Sequence, residues 1–164
     1  MVGGGDIAAI GPDSPIDAEQ FVRYAQCAAL FPMMQFSLNP ARVLGAEALA
    51  AVQAAVALRQ SLVPEIGALV EAAARSGEPV LRPLASHHAG TEDVTDQFLL
   101  GEDVLVAPVL TPGATTRRVF LPRGRWTPIG TALGGTAEVI VGDDPAVLDL
   151  PVQLGTLRMW RRAA

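Results

Sequence analysis

Few residues of this chain are spaced to do chemistry. Three pairs of adjacent carboxylates, Glu92-Asp93, Glu102-Asp103 and Asp143-Asp144, have the groups for acid–base work, but sequence neighbours point to opposite sides of a strand and share a site only in a tight turn. Each pair reads as a solvated turn. Asp6 is better placed, because it follows Gly3-Gly4-Gly5, a run suited to a tight turn or a close backbone approach. That run lacks the glycine spacing and the lysine of a phosphate-binding loop. The consecutive His87 and His88 cannot chelate a metal from one face of a strand, and a single cysteine leaves no zinc site of the usual Cys/His spacing. No metal and no cofactor are expected. Cys27 forms no intrachain disulfide and reads as a small core residue on the apolar side of a helix.

The 164 residues carry 12 Lys+Arg against 17 Asp+Glu, a net charge of −5, and half of them are hydrophobic. This balance excludes a nucleic-acid binder, which needs clustered cations to neutralise phosphates. The one basic cluster is Arg158, Arg161 and Arg162 at the end of the sequence. No run approaches the roughly 18 apolar residues of a membrane span. The segment Met1 to Asp6 has neither the basic nor the apolar region of a secretion signal, so the chain reads as cytoplasmic.

Two alphabets divide the chain. In the first half, Asp17 three residues before Gln20 resembles a capping box, followed by Phe21, Val22, Ala25, Ala28 and Ala29 near one face of a helix that Pro32 closes. Met33 to Leu38 predicts a short buried strand, bounded by Asn39-Pro40. Gly45 to Arg75 predicts a second helix, kinked or split at Pro64 and stopped by Gly77 and Pro79. From Val80 onward the period becomes strand-like: Val80–Leu84, Val104–Leu110, Arg118–Leu121, Glu138–Val141 and Val147–Leu150, separated by turns. Such spacing predicts an antiparallel β-sandwich whose core includes Leu105, Val109, Phe120 and Leu121. Residues 1–77 have the rhythm of two βα units, with Met33, Met34 and Phe36 as their packing, and residues 78–164 form the sandwich. Two such units are not a fold, since a complete eightfold barrel needs about 250 residues.

The segment Asp96-Gln97-Phe98-Leu99-Leu100-Gly101-Glu102-Asp103-Val104-Leu105-Val106-Ala107-Pro108-Val109 resembles a long signature of family 31 glycoside hydrolases, the α-glucosidase and α-xylosidase group. Gly77 to Leu84 upstream and Val119 to Trp126 downstream are similar to the family's flanking stretches, in the same order. Met1 to Asp6 resembles the end of a glycine-bearing barrel strand, and Phe21 to Ser37 resembles the following helix and last strand. Leu150-Pro151-Val152 begins like a further family segment, which Gln153 to Leu157 follows poorly.

The resemblance implies a fold of mixed class, the last two βα units of a (β/α)8 barrel followed by an antiparallel β-sandwich. It also implies retaining hydrolysis of an α-glycosidic bond by two aspartates, neither of which has a match here. No catalytic residue is therefore assigned. The substrate-binding candidates are Asp6, at the expected mouth of a barrel strand, and Gln35 and Ser37. The last two stand where many members carry an arginine and a histidine that contact the sugar, which points to a different sugar preference. The partners implied are a carbohydrate in the full-length context and either a missing N-terminal barrel chain or a second copy. The competing reading is a non-catalytic β-sandwich module that binds carbohydrate or protein.

Overall fold

The computed structural model describes residues 2–3, 16–130 and 138–163. Helix α1, Ala18–Ala28, starts where Asp17 accepts a hydrogen bond from the Gln20 amide at 2.9 Å, satisfying one of the amides that a helix start leaves open. Its apolar face of Phe21, Val22, Ala25, Ala28 and Ala29 is buried. A short helix, α2 (Pro40–Val43), is capped by Asn39, which accepts from the Ala41 amide at 3.0 Å. Sequence alone shows Asn39-Pro40 only as a boundary.

Helix α3, Ala46–Ser76, runs unbroken through Pro64, where the sequence predicts a kink or a split. Position explains the difference. Pro64 and Gln60, whose carbonyl loses its partner, both lie on the exposed side, where water can satisfy that carbonyl. The buried stripe of α3 serves two neighbours in turn: Ala48, Ala51, Val52 and Ala55 pack with α1, and Leu62 and Ile66 pack against the sheet.

Eight strands follow: β1 (Leu81–Pro83), β2 (Phe98–Leu100), β3 (Val104–Ala107), β4 (Thr116–Leu121), β5 (Gly124–Ile129), β6 (Val139–Val141), β7 (Ala146–Pro151) and β8 (Arg158–Arg162). Six form one antiparallel sheet in the order β1-β2-β3-β8-β5-β6, while β4 and β7 form a separate antiparallel pair. The larger sheet is covered on both faces. Val104 and Val106 of β3 join Leu62 and Ile66 of α3, while Leu105 and Ala107 meet Val119 and Leu121 of β4. Strand periodicity sends alternate side chains to opposite covers, so all four residues of β3 are buried. Leu105, Val109 and Leu121 are core residues as predicted, whereas Phe120 is only half-buried.

β8 corrects the sequence reading most sharply. Arg158, Arg161 and Arg162 read in sequence only as a short basic cluster, outside every predicted strand, yet they belong to a strand in mid-sheet, with Met159 facing α3 and Trp160 facing the β4–β7 pair. Its charges are disposed of individually: Arg161 forms a two-pronged ion pair with Glu65 of α3 at 2.7 and 3.1 Å, and Arg158 donates to the Pro151 carbonyl. β2 and β5 are also absent from the predicted strands. β2 is three residues long, and β5 contains Pro128, which is tolerated because β6 pairs only with Gly124–Trp126.

Met33–Leu38, predicted as a buried strand, makes a single parallel bridge, Val2 to Phe36, among the described residues. Met33, predicted as packing, is 79% exposed. The described residues offer this segment one paired edge and one covered face, and its burial stops there. Among them, the architecture is therefore mostly antiparallel sheet, backed by few helices.

Candidate functional site

Among the described residues, the parallel bridge brings two sequence candidates, Gln35 and Ser37, into a defined geometry. Val2 donates its amide to the Gln35 carbonyl at 2.7 Å and its carbonyl accepts from the Ser37 amide at 2.9 Å. Ser37 Oγ donates to the same carbonyl at 3.0 Å. Gly3, which follows, has φ +74°, and a Cβ there would lie 2.7 Å from the Phe21 ring, so both conformation and space require glycine. Phe21 in turn stacks on Phe36, with centroids 6.1 Å apart and planes at 12°.

Side chains then alternate by face. Met34, Phe36 and Leu38 are half-buried against the α1–α3 cluster, while Met33, Gln35 and Ser37 are exposed on the opposite side. Gln35 and Ser37 thus share one face of a helix-backed extended segment. With its proton directed at Val2, the Ser37 hydroxyl presents lone pairs outward, and the Gln35 amide carries both donors and acceptors. Such a neutral pair suits hydroxyl recognition and supplies no acid, base or nucleophile at neutral pH. Asp6, the third candidate, lies outside the described residues.

The start of this strand is held from α3. Arg59 donates to the carbonyls of Ala29 at 3.1 Å, Phe31 at 2.6 Å and Pro32 at 3.1 Å. A second arginine, Arg23 of α1, is buried and donates to the carbonyls of Gln153, Leu154 and Thr156 at 3.1 to 3.2 Å, with Gln26 adding a bond to Leu154 at 2.9 Å. The segment that departs from the family pattern in sequence is thus the receptor for a helix-borne arginine. Neither arginine stands out in the sequence, although Arg23 does interrupt an otherwise apolar helical stripe.

The other candidates resolve into structural roles. Glu102 pairs with the buried Arg82 at 3.0 Å, Asp143 with Arg123 at 3.1 Å, and Glu92 accepts from the Gly90 amide at 3.2 Å. Each acidic pair occupies its own turn. His87 Nε2 lies 2.8 Å from Arg82, whereas His88 is tilted against Trp126, so the two rings serve different neighbours. Burial, then Arg162 and His87, hold His88 below the usual histidine range. Among the described residues, no group of three or more His, Cys, Asp or Glu side chains converges.

The long signature segment is also structural. Asp96 pairs with buried Arg117 at 2.7 Å, and Arg117 further donates to the carbonyls of Pro108, Arg118 and Asp96 at 2.6 to 2.8 Å. Gln97 clasps the Phe120 backbone in both directions at 2.7 and 2.8 Å, joining the two sheets. Gly101, at φ +63°, turns β2 into β3 where a Cβ would stand 2.9 Å from Leu69 of α3.

Between α1 and residues 109–112 runs an open groove of about 470 Å³, lined in part by Gln20, Tyr24, Cys27 and Leu110. Cys27, expected in the core, is only partly buried at this groove. Burial, opposed by Arg23, pushes its thiol up to about 11, so the thiolate needed for reactivity is scarce at neutral pH.

Residues 77–156 match the Glycosyl hydrolase family 31 C-terminal domain. The chain is 39% identical over 139 residues to the myogenesis-regulating glycosidase of Mus musculus, covering 81% of this chain and 19% of that protein. It is 32% identical over 164 residues to 1,3-alpha-isomaltosidase of Kribbella flavida, covering 87% and 22% respectively. A GH31 alpha-xylosidase from a soil metagenome, solved in complex with xylose, superimposes with a TM-score of 0.76 at 26% identity, over 90% of this chain and 25% of that one. The chain spans about a fifth of the length of these curated relatives.

Proposed function

We propose, from the premise that the chain belongs to glycosyl hydrolase family 31, that it forms the C-terminal part of an α-glycosidase. Residues 1–77 are its last two barrel βα units, and residues 78–164 its C-terminal β-sandwich domain. The observation that carries this reading is the Met33–Leu38 segment: it is bridged in parallel to Val2 at Phe36, backed by α1 and α3, and turns Gln35 and Ser37 away from the helices. In a barrel of alternating strands and helices, the face opposite the helices is the interior, and the strand ends carry the site. Gln35 and Ser37 are then the sugar-facing residues of this chain, with Asp6 a third candidate. The names of the relatives support α-linked glycosides as the substrate class.

A retaining mechanism needs two carboxyl groups about 5 to 5.5 Å apart. Neither family aspartate has a match in this sequence, and among the described residues the acidic pairs sit in separate turns, two of them with an arginine partner, so this reading assigns the nucleophile and the acid/base to other polypeptide of the enzyme. Purified chain is expected to hydrolyse no aryl α-glucoside or α-xyloside above background. Turnover abolished by substituting any single carboxylate of this chain overturns the reading. The open face of the strand and the groove beside α1 are surfaces for the rest of such a barrel, whether joined or supplied by a separate chain. Among the described residues no helix is long and apolar enough to cross a membrane.

The competing reading, a carbohydrate-binding module, needs exposed rings for sugars to stack on. Trp126 and Trp160 are instead buried, and Phe98 and Phe120 are half-covered within the core clusters. That leaves the sheets without an aromatic platform.

A further inference from the structure

We propose that Arg59 is the positioning residue of the Gln35–Ser37 face, setting the rotation of the strand about its own axis from helix α3. The inference rests on the reading above for what that face does, but the geometry stands by itself. After α1 ends at Ala28, the amides of Leu30 and Phe31 still turn back onto Cys27 and Ala28. The carbonyls of Ala29, Phe31 and Pro32 converge instead on one guanidinium. Pro32 has no amide of its own to give, so its carbonyl is its one backbone anchor, and Met33 follows directly.

Downstream, the next backbone anchors are the Gln35 carbonyl and the Ser37 amide on Val2. Between them the segment has no ladder among the described residues. Its facing is decided by Arg59 at one end and by Val2 at the other. A planar guanidinium with several donors in fixed directions defines an orientation, which a single-point ammonium does not. Arg59 is itself fixed, because α3 packs against α1 on one side and is pinned to β8 through Glu65 and Arg161.

The methionines report this rotation. Met33 is on the open face, Met34 on the helix face, and Met159 is fully buried in β8. Thioether oxidation by dilute peroxide, followed residue by residue by peptide mass spectrometry, should run Met33 fastest, Met34 slower and Met159 slowest, because rate follows exposure. In Arg59→Leu, Met34 should oxidise about tenfold faster and approach Met33, with Met159 within about twofold of its parent rate. Arg59→Lys should fall between the two.

Three results overturn the proposal: equal rates at Met33 and Met34 in the parent protein, an unchanged Met34 rate in Arg59→Leu, or Met34 and Met159 accelerating together. The last would make Arg59 a contributor to global stability only. Should the oxidation pattern appear as expected while Gln35 and Ser37 substitutions leave glycoside binding untouched in the assembled enzyme, the sugar reading fails and the role of Arg59 stands.

Discussion

β3 and the segment Met33–Leu38 are both short apolar runs bounded by turn residues, and they end in opposite environments. β3 is paired on two edges and covered on two faces, by α3 and by the β4–β7 sheet. Among the described residues, Met33–Leu38 is bridged on one edge and covered on one face. Composition sets the appetite for burial, but neighbours decide how far it is met. The contrast also locates polarity: β3 has none, whereas the second segment places Gln35 and Ser37 on its open face. A strand that keeps amide and hydroxyl groups on one side is shaped to meet something other than a hydrocarbon core.

The contrast is sharpest in truncation energetics. Trp126 is fully buried, with its indole N–H donating to the Pro122 carbonyl at 2.7 Å. Trp126→Ala should therefore cost about 3 to 5 kcal/mol, read from urea unfolding. Phe36→Ala, at a half-covered site, should cost about 1 kcal/mol. Equal losses would erase the distinction between the two regions. Next in size is Arg117→Met, which strips several carbonyls and Asp96 of their donor and should cost about 2 kcal/mol; a loss confined to a few tenths would mean that water replaces the guanidinium.

The pH response should belong to the sheet region. His88 is held below its ordinary value of 6.5, first by burial, so the folded state resists a proton that the unfolded chain accepts. Above 6.5 this group contributes no pH dependence, and as pH falls below 6.5 stability should decline until the folded-state value is passed. His88→Gln should flatten that part of a urea-midpoint series between pH 7.5 and 5. A slope left intact would assign it to other groups. The smallest effect is expected at Arg118 and Asp149, a cross-strand pair with side chains 73% and 60% exposed. Asp149→Ala should leave the unfolding midpoint unchanged, as screened surface pairs generally do.

Much of this was legible in sequence where a local signal and the tertiary outcome agree. Asp17 caps its helix, Gly77 ends α3, and the apolar runs at Val104 and Arg118 are strands because caps, turns and period-2 runs act within a few residues. The errors have a common physical cause. Pro64 breaks no helix because its lost bond faces water, and Arg158–Arg162 is a central strand because Met159 and Trp160 are buried on its two faces while Arg161 pairs with Glu65 of α3. Met33 is exposed because a run's pattern does not reveal how many neighbours it has. For the site, only the resemblance to family 31 singled out Gln35 and Ser37, while Arg59 and Arg23 were hidden. Their function is to hold backbone carbonyls, which no side-chain motif encodes.

One edge of Met33–Leu38 is unpaired among the described residues, and we propose that it receives further barrel polypeptide. The amides of Met34 and Phe36 make no hydrogen bond among the described residues, whereas β3 is paired to both β2 and β8. Amide hydrogen exchange resolved by NMR on the purified chain, at concentrations where light scattering reports a monomer, tests this directly. The account predicts that Phe36 exchanges at least about a thousandfold faster than Leu105, as an unpaired edge should. Phe36 protected as strongly as Leu105 in a monodisperse monomer would contradict it, because the chain would then have closed this strand within itself.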